Sequence, residues 1–309
     1  MPQRRSMISG GLAAVFTFGL AIAAVPARAG DESGALYREG MALKNQGKDD
    51  EAIAAFEKVV AKDPKHAMAW SSLGHLYKKK KEYAKAINAY EKSLALAPKE
   101  EIVWSNLGMA YYRNGRIDDA IVALEKACKL APKDPDVRAN LGTLKRQKGD
   151  NAGAIVQLEK AVALAPNEAS YHSNLGVAYR NEKRLDDAIA SFQKAIAISP
   201  NEADYHFNLA VVYRRQQEVD KAIPEYERAV ALAPDKSEAW YDLGYMYKLN
   251  HDNDKSVEAF NTYLELVKGK DPKNDKLVED EIESLGGTPV TKGKPEKGKP
   301  KPKDKPKHK

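Results

Sequence analysis

Cysteine is nearly missing: Cys128 is the only one in 309 residues. No internal disulfide can form, even in a compartment that would permit one. The sequence holds no Gly-rich loop of the kind that cradles phosphate and no Ser-His-Asp spacing. His75 has no second imidazole at metal-ligand spacing. These absences leave no catalytic residue, no cofactor and no metal site to assign, and the chain reads as a non-enzyme. The apolar stretch from Met7 to Val25 is not followed by a cysteine, which excludes a lipid-modified N-terminal cysteine.

That stretch follows Arg4 and Arg5 and ends at Ala27-Arg28-Ala29, the pattern of a secretory signal over 1–29 cleaved before Gly30. An uncleaved membrane anchor is the alternative. Both place the remainder, from a short lead at 30–32, outside the cytoplasm, periplasmic or secreted, because the arginines stay inside. Arg4-Arg5-Ser6-Met7-Ile8 is a partial match to a twin-arginine export signal. Net charge is +6, but it is unevenly placed. Gly287–Lys309 carries nine Lys against Glu296 and Asp304, and Gly30–Gly286 has 38 basic and 42 acidic residues. The body is therefore slightly acidic and the basic character belongs to the ends.

From Ser33 onward a pattern recurs every 34 residues with no insertion. Trp70, Leu73, Gly74 and Tyr77 occupy positions 4, 7, 8 and 11 of one unit, on one face of a helix. Ala86, Tyr90 and Ser93 occupy positions 20, 24 and 27, on one face of a second. Small residues at 8 and 20 let the two helices approach. Gly47, Gly115 and Gly149 mark the turn between helices, and Pro64, Pro98, Pro132, Pro166, Pro200 and Pro234 end the units. A lone helical pair cannot bury its own apolar face, so the pairs must stack.

On these residues the chain resembles the tetratricopeptide repeat family. The resemblance implies an all-α, right-handed superhelical solenoid of seven helix-turn-helix repeats at 33–66, 67–100, 101–134, 135–168, 169–202, 203–236 and 237–270. The first repeat departs from it with Leu36 for Trp and Glu39 for Leu. A solvating cap helix is expected at 271–286, from Leu277, Val278, Ile282 and Leu285 on one face. A disordered Lys/Pro-rich tail is expected over 287–309.

The repeat register disposes of each chemical candidate. Cys128 falls in a column of Val, Leu and Ile and reads as a small buried hydrophobe. His172 and His206 sit where other units carry Trp and read as packing. Asp118, Asp119, Asp186 and Asp187 suit the starts of second helices.

In this family the first helices line a concave groove, with positions 2, 5, 6, 9, 12 and 13 inward. Position 6 supplies Asn106, Asn140, Asn174 and Asn208, whose amides can pair with a peptide backbone regardless of its sequence. The ladder resembles that of the O-linked N-acetylglucosamine transferase. Positions 12 and 13 supply Lys78, Lys79, Arg113, Arg146, Arg180, Arg214, Arg215 and Lys248, a basic stripe suited to an acidic partner. Phe207, Tyr241 and Tyr245 form an aromatic end. The family's chaperone-tail clamp, which needs Lys at position 5 and Asn at position 9, is missing. The expected function is a protein-binding scaffold or assembly factor of the cell envelope that takes an extended, acidic protein or peptide segment. Two alternatives are a tethering protein whose tail meets lipid headgroups or an anionic envelope polymer, and an accessory subunit of a polysaccharide-processing or secretion machine. The export signal argues against nucleic acid.

Overall fold

The computed structural model describes residues 32–267 and 270–292. The expected signal at 1–29 and the tail beyond 292 lie outside the described residues. Fifteen α-helices and no strand occur among those described. They divide into two compact units, with the boundary in the chain between Asn167 and Glu168.

The first unit contains α1 (Glu32–Asn45), α2 (Asp49–Lys62), α3 (Ala67–Lys79), α4 (Tyr83–Leu96), α5 (Glu101–Arg113), α6 (Ile117–Leu130), α7 (Pro135–Gln147) and α8 (Asn151–Leu164). The second contains α9 (Ala169–Asn181), α10 (Leu185–Ile198), α11 (Ala203–Arg215), α12 (Val219–Leu232), α13 (Ser237–Leu249), α14 (Asn253–Val267) and α15 (Pro272–Ser284), followed by a 3₁₀ turn at Val290–Lys292. Within each unit every first helix packs on its own second helix, which in turn packs on the next first helix. Each unit is thus a solenoid of stacked helix pairs, as the periodicity requires.

Two columns set the helix-to-helix fit. Position 8 is Gly where position 24 presses a large side chain against it: a Cβ on Gly74 would lie 2.6 Å from the Tyr90 ring, and one on Gly108 2.8 Å from Leu124 Cγ. In these repeats the large residue at position 24 lies nearest the missing Cβ, although Ala210 stands in for the glycine opposite Tyr226. Phe56, Tyr90, Leu124, Phe192, Tyr226 and Phe260, all of that column, are fully buried. Position 15 is left-handed throughout, with φ of 74°, 80° and 87° at Gly47, Gly115 and Gly149. The same backbone holds at Lys81, Lys183, Gln217 and His251, with φ of 61–63°, so the turn is imposed even where glycine is missing.

A third column explains the residues at position 4. Trp70 Nε1 donates to Pro64 O at 2.9 Å, Trp104 Nε1 to Pro98 O at 2.8 Å, and Trp240 Nε1 to Pro234 O at 2.9 Å. Arg138 Nε does the same to Pro132 O at 2.9 Å, and His206 Nε2 lies 3.0 Å from Pro200 O. What the column needs is an N–H donor that satisfies the carbonyl left open at the end of the preceding repeat. Buried His206 is therefore structural, and its Nδ1 lies 2.7 Å from Glu225 Oε2.

Adjacent repeats are tied a second way. Position 11 donates to position 25 of the preceding repeat: Tyr77 to Glu57 Oε1 at 2.5 Å, Tyr247 to Glu227 Oε1 at 2.6 Å, and Tyr111 to Glu91. In the last repeat position 25 is Asn261, which has no following tyrosine. It grips the segment that follows α15 instead, accepting from Val290 N at 2.7 Å and donating to Thr288 O at 3.2 Å. An amide, carrying both donor and acceptor, suits a backbone strap as a carboxylate would not. Thr288 and Val290, which fall within the expected tail at 287–309, are thus held against α14. Cap helix α15 buries Val278 and Ile282 near Phe260 and Leu264, and Gly286 turns it off at φ 84°.

Candidate functional site

The residues named for binding lie on the first helices, most of them half-buried, and some of them bond to one another. In the first unit Lys78 Nζ at the end of α3 donates to Asn106 Oδ1 on α5 at 2.5 Å. In the second unit Arg180 Nη1 donates to Asn208 Oδ1 at 2.9 Å, and Arg214 Nη1 to Asp242 Oδ1 at 2.8 Å. Each link joins position 12 of one repeat to position 6 of the next, 28 residues on. Two rungs of the amide ladder, Asn106 in the first unit and Asn208 in the second, are thus bonded to the basic stripe of their own unit.

This changes what each residue offers. Asn208 is engaged at both ends, because its Nδ2 also donates to Asp204 O at 2.8 Å. Asp242 is buried, and that burial pushes its carboxyl upward against the pull of Arg214. Its other oxygen accepts from Tyr226 OH at 3.0 Å. Lys248 is tied to Glu281 of the cap helix at 2.5 Å, and Lys79 to Asp49 at 2.6 Å. Arg113 and Arg215 are exposed and form no ion pair among the described residues. Arg146 is half-buried; desolvation lowers its guanidinium, and its Nε has no hydrogen-bond partner among the described residues. Asn140 lies half-buried on the same helix, α7, and Asn174 half-buried on α9.

Of the three aromatic residues named for the C-terminal end, two pack on each other. Tyr241 and Tyr245 pack edge-on with ring centres 5.0 Å apart, and Tyr241 lies 5.2 Å from Tyr263. Burial pushes the Tyr241 hydroxyl up to about 12. Phe207 sits apart from them, against Tyr226 at 5.9 Å and beneath the Lys236 ammonium.

Two further residues of the inward register, Lys44 at position 12 and His75 at position 9, lie in the first unit. His75 on α3 is half-buried, and burial, with Lys44, Lys78 and Lys79 nearby, pushes its imidazole down to about 4. Burial also lowers Lys44 and Lys78. Cys128 is half-buried rather than fully buried; it packs against the core, and burial pushes its thiol up to about 11, the opposite of an activated nucleophile. No group of three or more His, Cys, Asp or Glu placed to hold a metal occurs among the described residues. No described helix is long and apolar enough to cross a membrane.

Stacked helix pairs with a polar, cation-rich first-helix surface define a class of repeat proteins that display docking surfaces. The chain belongs to the tetratricopeptide repeat family. Residues 9–241 match the profile described as the cilia and flagella-associated protein 70 C-terminal domain, and residues 225–258 match a tetratricopeptide repeat profile. No functionally curated protein matches. Among solved structures, YrrB, described as a TPR protein with an unusual peptide-binding site, is 25% identical with a TM-score of 0.54, over 60% of this chain and 95% of its own. MamA is 30% identical with a TM-score of 0.51, over 53% of this chain and 96% of its own. The C-terminal part of a repeat protein from Cytophaga hutchinsonii is 24% identical with a TM-score of 0.64, over 78% of this chain and 97% of its own, and shares the fold.

Proposed function

We propose that the chain is an exported, non-enzymatic scaffold whose first-helix surfaces hold an extended, acidic segment of a partner protein. The observation that carries this reading is Arg146. A half-buried guanidinium with a buried, unpartnered Nε is costly unless an acceptor arrives. A carboxylate or carbonyl of a bound segment would supply one. Arg113 and Arg215, exposed and without ion pairs among the described residues, extend the same preference for negative charge. The peptide-binding site of YrrB shows that a similar repeat array can take a peptide.

Partner recovery from cross-linked cell envelopes tests the reading. Replacing Asn140, Asn174, Arg146 and Arg180 together by Ala should abolish recovery, while deleting Gly287–Lys309 should leave it. Recovery that survives the four substitutions and disappears with the tail would move the contact to the tail and refute the groove.

A further inference from the structure

The end of the second unit carries an open groove that neither the repeat-to-repeat ties nor the first-helix surface uses. It measures about 450 Å³ and lies between α14, α15 and the strap that follows them. Leu264, Pro272 and Val290 give it apolar walls, and Glu265, Asp275 and Glu279 bring three carboxylates. None of these three makes an ion pair among the described residues. The ammonium of Lys276, also in the lining, is held by Asp280 at 2.6 Å. Glu265 is exposed, and Glu279 Oε1 accepts from Thr291 Oγ1 at 2.5 Å. Asp275 is the costly member: it is 7% exposed, and its Oδ1 is buried without a hydrogen-bond partner among the described residues. Its place in the first turn of α15 favours the charge but leaves that oxygen unsatisfied. A cation seated in the groove offsets the cost without reaching Oδ1, because the two oxygens share the charge. These carboxylates belong to no group placed to hold a metal among the described residues, and the apolar walls suit the methylene stem of a lysine.

We infer that this groove is the docking site for the chain's own Lys/Pro-rich segment at 293–309. Three observations select that occupant. The described residues end at 292, one position beyond Thr291 in the groove wall. Residues 293–309 carry eight Lys against Glu296 and Asp304, a charge opposite in sign to that of the groove. The strap itself is pinned, by Val290 N to Asn261 Oδ1 at 2.7 Å and by Thr291 to Glu279, so the segment starts from a fixed point at the groove. Lys294 and Lys297 follow Thr291 closely in the chain and lie within about 10 Å and 20 Å of it at full extension. A tether that short holds the lysines at a local concentration in the millimolar range. The contact lies within the second unit and stands apart from the scaffold reading. Lipid headgroups or an anionic envelope polymer would have to compete with the groove for the same lysines.

The test is zero-length carbodiimide coupling on the purified full chain, in an equal mixture of isotope-labelled and unlabelled copies, with the links mapped by mass spectrometry. Links from Lys294, Lys297 or Lys299 to Glu265 or Glu279, each within one isotope, are the expected result, and they should fade in about 0.5 M sodium chloride. A fluorescent peptide of residues 293–309 should bind the chain lacking those residues at least about tenfold more tightly than it binds the full chain, whose groove is already filled. Glu265→Gln/Glu279→Gln should weaken that binding by about tenfold or more. Glu279→Gln keeps an acceptor for Thr291, so the strap stays in place. Links spread over carboxylates of the whole chain, an absence of links, or peptide binding untouched by the two substitutions would each overturn the proposal. Links of mixed isotope would overturn it in favour of a second copy's segment. Displacement of the peptide by calcium, where sodium of equal ionic strength has no effect, would overturn it in favour of a metal site.

Discussion

Arg214 and Asp242 lie 28 residues apart and meet at 2.8 Å, the ionic version of a link that Lys78–Asn106 and Arg180–Asn208 make with a neutral amide. One register thus admits two chemistries. Asp242 is buried and has a second bond from Tyr226. Its charge is tolerable because Arg214 neutralises it.

Removing the two partners should therefore have unequal effects. Arg214→Ala leaves a buried, unpaired carboxylate and should cost about 3 kcal/mol or more. Asp242→Asn restores the amide of the other repeats and should cost under about 1 kcal/mol. Urea denaturation of the two variants measures the difference, and equal losses would show that the pair is not the source of the stability.

The buried tyrosines at position 24 give a second contrast. Tyr226 OH donates to Asp242, whereas Tyr90 OH is buried with no partner among the described residues. Tyr226→Phe should destabilise by about 1–2 kcal/mol, while Tyr90→Phe should be neutral or stabilising, since it deletes an unsatisfied group. Thermal melts of both variants check the sign.

At position 15, Lys81, Lys183, Gln217 and His251 hold the left-handed backbone that Gly47, Gly115 and Gly149 adopt freely. Replacing any of the four with Gly should raise stability by about 0.5–1 kcal/mol, and Gly115→Ala should lower it comparably. A Lys81→Gly variant that melts at a lower temperature would contradict this account of the turn.

His75 makes stability depend on pH. Its imidazole sits near 4 when folded, below the ordinary value of 6.5. The unfolded chain therefore binds more protons across that window, and stability should fall as pH drops from 6.5 toward 4. His75→Gln should remove that part of the decline. A His75 resonance titrating near 6.5 in the folded protein would show that the cluster is not buried as described.

The period made the helix limits legible. First helices from the second repeat onward begin at position 1 of their unit, as at Ala67, Glu101 and Pro135, and second helices at position 17, as at Asp49, Tyr83 and Ile117. The candidate site was legible as columns but not as contacts. Positions 12 and 6 belong to different repeats, and reading each down its own column hid that one satisfies the other. The left-handed turn could be seen only where glycine marked it, because Lys81 or Gln217 carries no such mark. The strap held by Asn261 was hidden for a related reason: it lies beyond the last repeat, where no period remains to place it. Position 4 was readable as Trp packing, but its common property across Trp, Arg and His is the N–H, which appears once the proline carbonyl is seen beside it.

The most direct test of the central claim is site-specific photo-cross-linking in cells. Probes replace Asn140 on α7 and, one at a time, the exposed Val122 on α6 and Val156 on α8. Cross-links to a partner protein from residue 140, with none from 122 or 156, are the predicted result. Cross-links confined to the second-helix positions would place the partner on the opposite face and contradict the account.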